Sequence, residues 1–129
     1  MIYGIGTDLV EVARIEAILE RHGRRFAARV LSPAELDDFD ASQSPAHFLA
    51  RRFAVKEAVA KAFGTGFRNG LSLRHIAVRH DPLGRPRIEL SGQALAFAEQ
   101  RDIGEMHVSI ADERHYALAF VTLLVGGGG

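Results

Sequence analysis

Apolar positions recur at helical spacing through the first half of the chain and at strand spacing through most of the second. Ile2 to Thr7 reads as a short buried strand. From about Val10 to His22 the positions Val12, Ile15, Ile18 and Leu19 form one inner helical face, which Gly23 interrupts. Ser32-Pro33-Ala34-Glu35 carries a capping-box pattern with proline at the first helical position, so a short helix is predicted to about Phe39. Ser44-Pro45 repeats the start signal. A long helix follows from about Pro45 to Phe63, burying Phe48, Leu49, Val55, Val59 and Phe63, with Gly64 as its C-cap. Beyond a glycine-rich loop, Ile76 to Arg79 and Arg87 to Leu90 predict strands around the Asp81-Pro82-Leu83-Gly84 turn. Ser91 caps a helix through about Gln100, and Met106 to Ala111 with Tyr116 to Leu124 alternate as a closing hairpin. Strands that cluster late in the chain predict a single α+β domain, an antiparallel sheet packed with the long central helix.

Composition narrows the functional classes. A chain of 129 residues holds one domain, long enough to bury roughly two-thirds of its unfolded surface in a single core; we assign it to residues 1–125, with 126–129 a flexible glycine tail. Hydrophobic residues make up 47% and charged residues 25%, an ordinary globular balance, and no apolar run approaches the about 20 residues that span a bilayer. The N-terminus lacks a basic region followed by an apolar stretch and cleavage site, so a cytoplasmic location without membrane attachment is expected. With no cysteine, disulfides, thiolate catalysis and Cys-ligated zinc are excluded. The 16 acidic and 16 basic residues balance, which gives no electrostatic case for nucleic acid or an anionic membrane.

Two segments carry chemistry. Gly4-Ile5-Gly6-Thr7-Asp8 is a strand whose glycines let another backbone or a ligand come close, and it delivers the Asp8 carboxylate. In Arg52-Phe53-Ala54-Val55-Lys56-Glu57-Ala58-Val59-Ala60-Lys61 the residues Glu57 and Lys61 stand at i and i+4 on one helix face, with Lys56 beside them. Two carboxylates from separate elements with flanking lysines suit a hard divalent cation and a polyphosphate, because magnesium takes oxygen ligands and shares substrate phosphates. Plainer readings stand beside this one. Asp8 with Glu11 fits a helix N-cap and its reciprocal partner, and Glu57 with Lys61 fits an exposed ion pair of about 0.3 to 0.5 kcal/mol.

Other motifs are less productive. The loop Gly64-Thr65-Gly66-Phe67-Arg68-Asn69-Gly70 is no P-loop, since it follows a helix and sits at the negative end of its dipole; its default role is chain reversal. The six histidines match no standard zinc spacing, at 75/80 or at 107/115. Ser72, Ser91 and Ser109 lack a nucleophile-elbow context.

Taken jointly, Gly-x-Gly-x-Asp at residues 4–8 and Arg-Phe-x-x-Lys-Glu-Ala-x-x-Lys from Arg52 to Lys61 resemble the bacterial holo-acyl-carrier-protein synthases of the 4'-phosphopantetheinyl transferase superfamily. The resemblance continues through Gly64-Thr65-Gly66, Asn69-Gly70, Leu83-Gly84-Arg85-Pro86 and His107-Val108-Ser109-Ile110-Ala111-Asp112. It implies transfer of 4'-phosphopantetheine from coenzyme A to a serine of apo-acyl carrier protein, releasing adenosine 3',5'-bisphosphate. On that reading Asp8 and Glu57 hold magnesium, Lys61 neutralises phosphate charge, and Arg52, Lys61, Gly64 and His107 bind the nucleotide. The serine proton goes to Glu57 or to a metal-bound water. The resemblance also implies a homotrimer with active sites between subunits, Arg52 and His107 coming from the neighbour of the copy that supplies Asp8 and Glu57.

Arg14 and Arg21, seven residues apart on the first predicted helix, project from nearly the same side, and Arg25 continues the stripe if that helix survives Gly23. A solvated basic face is the plain reading; the resemblance makes it the docking site of an acidic acyl carrier protein. Two alternatives from other classes remain. A non-catalytic coenzyme A-binding module would bind ligand without adding mass to a carrier, and an arginine-rich nucleic-acid-binding domain, suggested by Arg21, Arg24, Arg25 and Arg29, would bind oligonucleotides with steep salt dependence.

Overall fold

The structure is a computed structural model that describes residues 1–68 and 70–126. Asn69 and residues 127–129 of the expected tail lie outside the described residues. Strand β1 (Ile2–Glu11) is followed by helices α1 (Val12–His22), α2 (Arg24–Val30), α3 (Pro33–Ala41) and α4 (Pro45–Phe63). A single 3-10 turn, Leu73–His75, leads into the hairpin of β2 (Ile76–His80) and β3 (Pro86–Leu90). Helix α5 (Gly92–Gln100) precedes the closing hairpin of β4 (Ile103–Asp112) and β5 (Tyr116–Val125). The fold is α+β, as the change of period predicts.

Helix α4 is the spine. Ala50, Ala54, Val55, Ala58, Val59 and Ala60 are buried, so most of the helix surface is enclosed, while Arg51, Glu57 and Lys61 keep part of it open to solvent. Each such valine contributes about 1.5–3 kcal/mol by leaving water. Pro45 starts the helix, and Gly64, left-handed at φ 84°, ends it with its N–H on the Lys61 carbonyl. The three-stranded antiparallel sheet has β5 in the centre, flanked by β1 and β4. Its inner positions Val10, Ala117, Ala119, Val121 and Leu123 are buried, and α4 packs on that side. β2 and β3 form a separate two-stranded sheet.

Three local expectations change. β1 runs on to Glu11, which pairs with Tyr116 of β5, and α1 begins only at Val12, whose N–H meets the His115 carbonyl at 2.8 Å. Ladder bonds to β5 thus win residues whose local pattern suits a helix start. Asp8 is therefore a mid-strand residue opposite Ala119 and caps nothing; the N-cap position belongs to Glu11, whose side chain makes no capping bond. At Gly23 (φ 63°, ψ −156°) the chain turns and α2 starts afresh, an element the sequence pattern did not announce.

Candidate active site

The glycines of β1 set the site. A Cβ at Gly4 would overlap the carbonyl oxygen of Ala62, and one at Gly6 that of Ala58, so the strand lies directly on the backbone of α4. Two residues of strand advance about 6.6 Å and four residues of helix about 6 Å, so strand and helix keep step in opposite directions. Asp8, the next inward position after Gly4 and Gly6, therefore comes level with the turn that carries Phe53 and Glu57. The Gly-x-Gly-x-Asp spacing is the mechanical reason that a carboxylate meets this part of the helix.

Asp8, Glu57, Arg14, Ile15, Ile18 and Phe53 line one cleft of about 370 Å³ between β1, α1 and α4. Lys61 Nζ lies 2.9 Å from Asp8 Oδ1 and donates to the Thr7 carbonyl at 3.0 Å. The expected Glu57–Lys61 helical pair is thus replaced by a cross-element pair. Glu57 stays without an ion-pair partner among the described residues, and its proton affinity is raised, first by burial and then by the Asp8 charge, with Lys61 and Arg14 opposing. Two carboxylates that repel each other across one cleft are a fitting donor set for magnesium, which uses one or two carboxylates and completes its shell with waters and substrate phosphates. No group of three or more His, Cys, Asp or Glu side chains that could hold a metal occurs among the described residues.

Other sequence-predicted residues lie elsewhere. Lys56, expected beside Glu57, is wholly buried on another side of α4, because successive helical residues are turned by about 100°. It pairs with Glu35 of α3 at 2.7 Å. Arg52 is buried on that side as well, 3.7 Å from Glu35 Oε2 and 4.4 Å from the centre of the Phe48 ring. Beyond it a larger groove of about 570 Å³ runs along β2, lined by Glu35, Asp38, Val78 and His80. His107 projects from the uncovered face of the sheet, 3.2 Å from Glu105. Within one copy, then, Arg52 and His107 do not join Asp8 and Glu57. Gly64 sits at the helix end one turn beyond Lys61.

Arg14 lines the cleft, and Arg21 is exposed further along α1. Arg25 belongs to α2, past the break at Gly23, so the three do not form one helical stripe. Arg24 grips Asp40 through two bonds of 2.9 and 2.8 Å, which ties α2 to α3 and takes one arginine from any basic patch. Sequence reasoning missed Glu35 as more than a cap. Its capping box does form, with Ser32 N–H on Glu35 Oε1 at 3.0 Å, but nothing local signals that the same carboxylate receives Lys56 and Val78 from distant segments.

The model of the 4'-phosphopantetheinyl transferase superfamily matches residues 4–121, a span that contains the whole cleft. A holo-[acyl-carrier-protein] synthase of Salmonella paratyphi B is 57% identical over 122 residues, 95% of this chain and 97% of that one. The chain belongs to the holo-[acyl-carrier-protein] synthases. The family's solved structures share its fold. That of the Neisseria meningitidis synthase superposes with a TM-score of 0.91 at 43% identity, covering 96% of this chain and 99% of the other. The Helicobacter pylori synthase, solved in complex with coenzyme A, gives a TM-score of 0.81 at 32% identity, covering 93% and 99%.

Proposed function

We propose that this chain transfers the 4'-phosphopantetheine group of coenzyme A to a serine hydroxyl of apo-acyl carrier protein, releasing adenosine 3',5'-bisphosphate. The observation that carries this reading is the convergence of Asp8 and Glu57, from β1 and α4, in one cleft, with Lys61 bonded to Asp8. The serine oxygen forms a bond to the phosphorus bearing pantetheine, and the bond from that phosphorus to the bridging pyrophosphate oxygen breaks. Asp8 and Glu57 would hold magnesium, which supplies charge neutralisation on the pyrophosphate. Lys61, already held on Asp8, turns its ammonium to the phosphate oxygens where charge develops. Glu57 or a water held by the magnesium would receive the serine proton.

Arg52 and His107 complete the nucleotide end from a neighbouring copy, in a homotrimer. The outer face of the sheet supports such an assembly: Ile5, Leu9, Leu118 and Phe120 are 52%, 62%, 43% and 44% exposed on it, a contiguous apolar surface of the kind that marks a protein contact. Arg14, in the cleft, and Arg21, exposed further along α1, meet the acidic carrier. The deciding experiment is intact-mass spectrometry of an apo-acyl carrier protein incubated with the enzyme, coenzyme A and magnesium. The carrier should gain one phosphopantetheine; binding of coenzyme A with no gain in carrier mass would leave only a binding module.

A further inference from the structure

Glu35 is 2% exposed, and its carboxylate is met from four directions. Oε1 accepts the Ser32 N–H at 3.0 Å and Lys56 Nζ at 2.7 Å. Oε2 accepts the Val78 N–H at 2.9 Å and faces Arg52 Nε at 3.7 Å. Lys56 gives its remaining N–H groups to the Leu73 and Ile76 carbonyls, so all three of its donors are used. One buried carboxylate thus serves two buried cations, and the two are not served alike. Arg52 Nε has no hydrogen-bond partner among the described residues. Its guanidinium is held by the charge of Glu35 and by the Phe48 ring. Burial lowers the proton affinity of both cations, and Glu35 opposes that loss in each.

The division of labour within this carboxylate is informative. Its Oε1 side closes a purely structural joint among α3, α4 and the turn before β2. Its Oε2 side is turned to Arg52 and to the backbone of β2, which borders the larger groove. We infer that Glu35 is a positioning residue for the nucleotide end of coenzyme A, fixing Arg52 and the β2–β3 hairpin relative to each other through its Oε2. This inference rests on the assignment of Arg52 to the nucleotide made under the proposed function.

Glu35→Gln separates the two sides. The amide oxygen can still accept from Lys56 and Ser32, while the NH2 group faces two donors, and Arg52 loses its counter-charge. Coenzyme A affinity, read by calorimetry, should fall about tenfold, and the KM for coenzyme A should rise while that for carrier protein stays put. Arg52→Ala should weaken coenzyme A binding too, and the double variant should be no weaker than Arg52→Ala alone. If Arg52→Ala leaves affinity unchanged, it is the assignment of Arg52 that fails. If Arg52→Ala weakens binding while Glu35→Gln does not, or the two losses simply add, the positioning role is overturned. Should Glu35→Gln not fold, Glu35→Asp keeps the charge and withdraws the carboxylate by one methylene. The same loss, confined to coenzyme A, is then expected, and undiminished coenzyme A affinity in that variant overturns the inference.

Discussion

Lys61 reaches from α4 to Asp8 on β1, 2.9 Å away, and leaves Glu57, one turn back on its own helix, without an ion-pair partner among the described residues. The pairing distinguishes the two carboxylates. Asp8 is neutralised before any substrate arrives, whereas Glu57 carries an ionisation that its surroundings resist.

Glu57→Gln should therefore stabilise the protein while nearly abolishing turnover. A carboxyl whose proton affinity is raised by folding binds more protons folded than unfolded, so its ionisation costs stability as pH rises from the ordinary carboxylate range through its raised value. The melting temperature of the Gln variant should exceed that of the parent at neutral pH, with the difference closing at acidic pH. The parent's kcat/KM should fall on the acid side above the ordinary glutamate range, and added magnesium should move that limb to lower pH. A limb that ignores magnesium would separate Glu57 from the metal.

Lys61→Met is expected to lower kcat on the order of a hundredfold, the scale for a donor aimed at charge that develops in the transition state. An exposed pair contributes no more than about 1 kcal/mol, so the melting temperature should change little. Rate and melting temperature measured on one preparation decide the matter: an unchanged rate returns Lys61 to a solvated role.

Gly6→Val should lose both stability and activity, because the new Cβ meets the Ala58 carbonyl and pushes β1 from α4. The loss should exceed about 3 kcal/mol, as for other severe core overpacking. Chemical denaturation gives the number. A folded, active Val variant would disprove the strand-on-helix account of how Asp8 is placed.

If the site is shared between copies, two dead variants should rescue each other. Glu57→Gln chains lack the metal end, and Arg52→Ala chains lack the nucleotide end. Mixed and allowed to exchange subunits, they form interfaces that carry both intact residues, and part of the parent activity should return. Activity that stays at the sum of the two separate variants places all the residues within one copy.

Arg21→Glu, outside the cleft that Arg14 lines, should raise the KM for carrier protein roughly severalfold and leave that for coenzyme A nearly unchanged, since interfacial charge acts on encounter and orientation. Salt should narrow the difference between parent and variant. Equal effects on both substrates would move the docking surface away from α1.

Much of this was legible because local rules and tertiary demands coincide. The start and end of α4 follow from Pro45 and Gly64, and the capping box at Ser32 forms as written. The glycines of β1 announced a close approach, and the approach is to a backbone. What stayed hidden depends on partners far along the chain. β1 runs past Thr7 only because β5, more than a hundred residues later, offers Tyr116 to Glu11. Lys56 looked like a site lysine because sequence proximity to Glu57 says nothing about which neighbour covers which side of a helix. Arg25 left the basic stripe when the chain turned at Gly23.

The contact of Gly4 and Gly6 with α4 has a consequence for how this chain can change. Most tight contacts in a protein core are between side chains, and a larger residue on one side is accommodated by a smaller one opposite. Here the opposing atoms are the carbonyl oxygens of Ala58 and Ala62, which every amino acid possesses. No substitution at either helix position makes room, so a suppressor of Gly6→Val would have to move a whole element. The distance between strand and helix, and with it the seat of Asp8, is fixed by the main chain on both sides and lies beyond the reach of ordinary pairwise compensation.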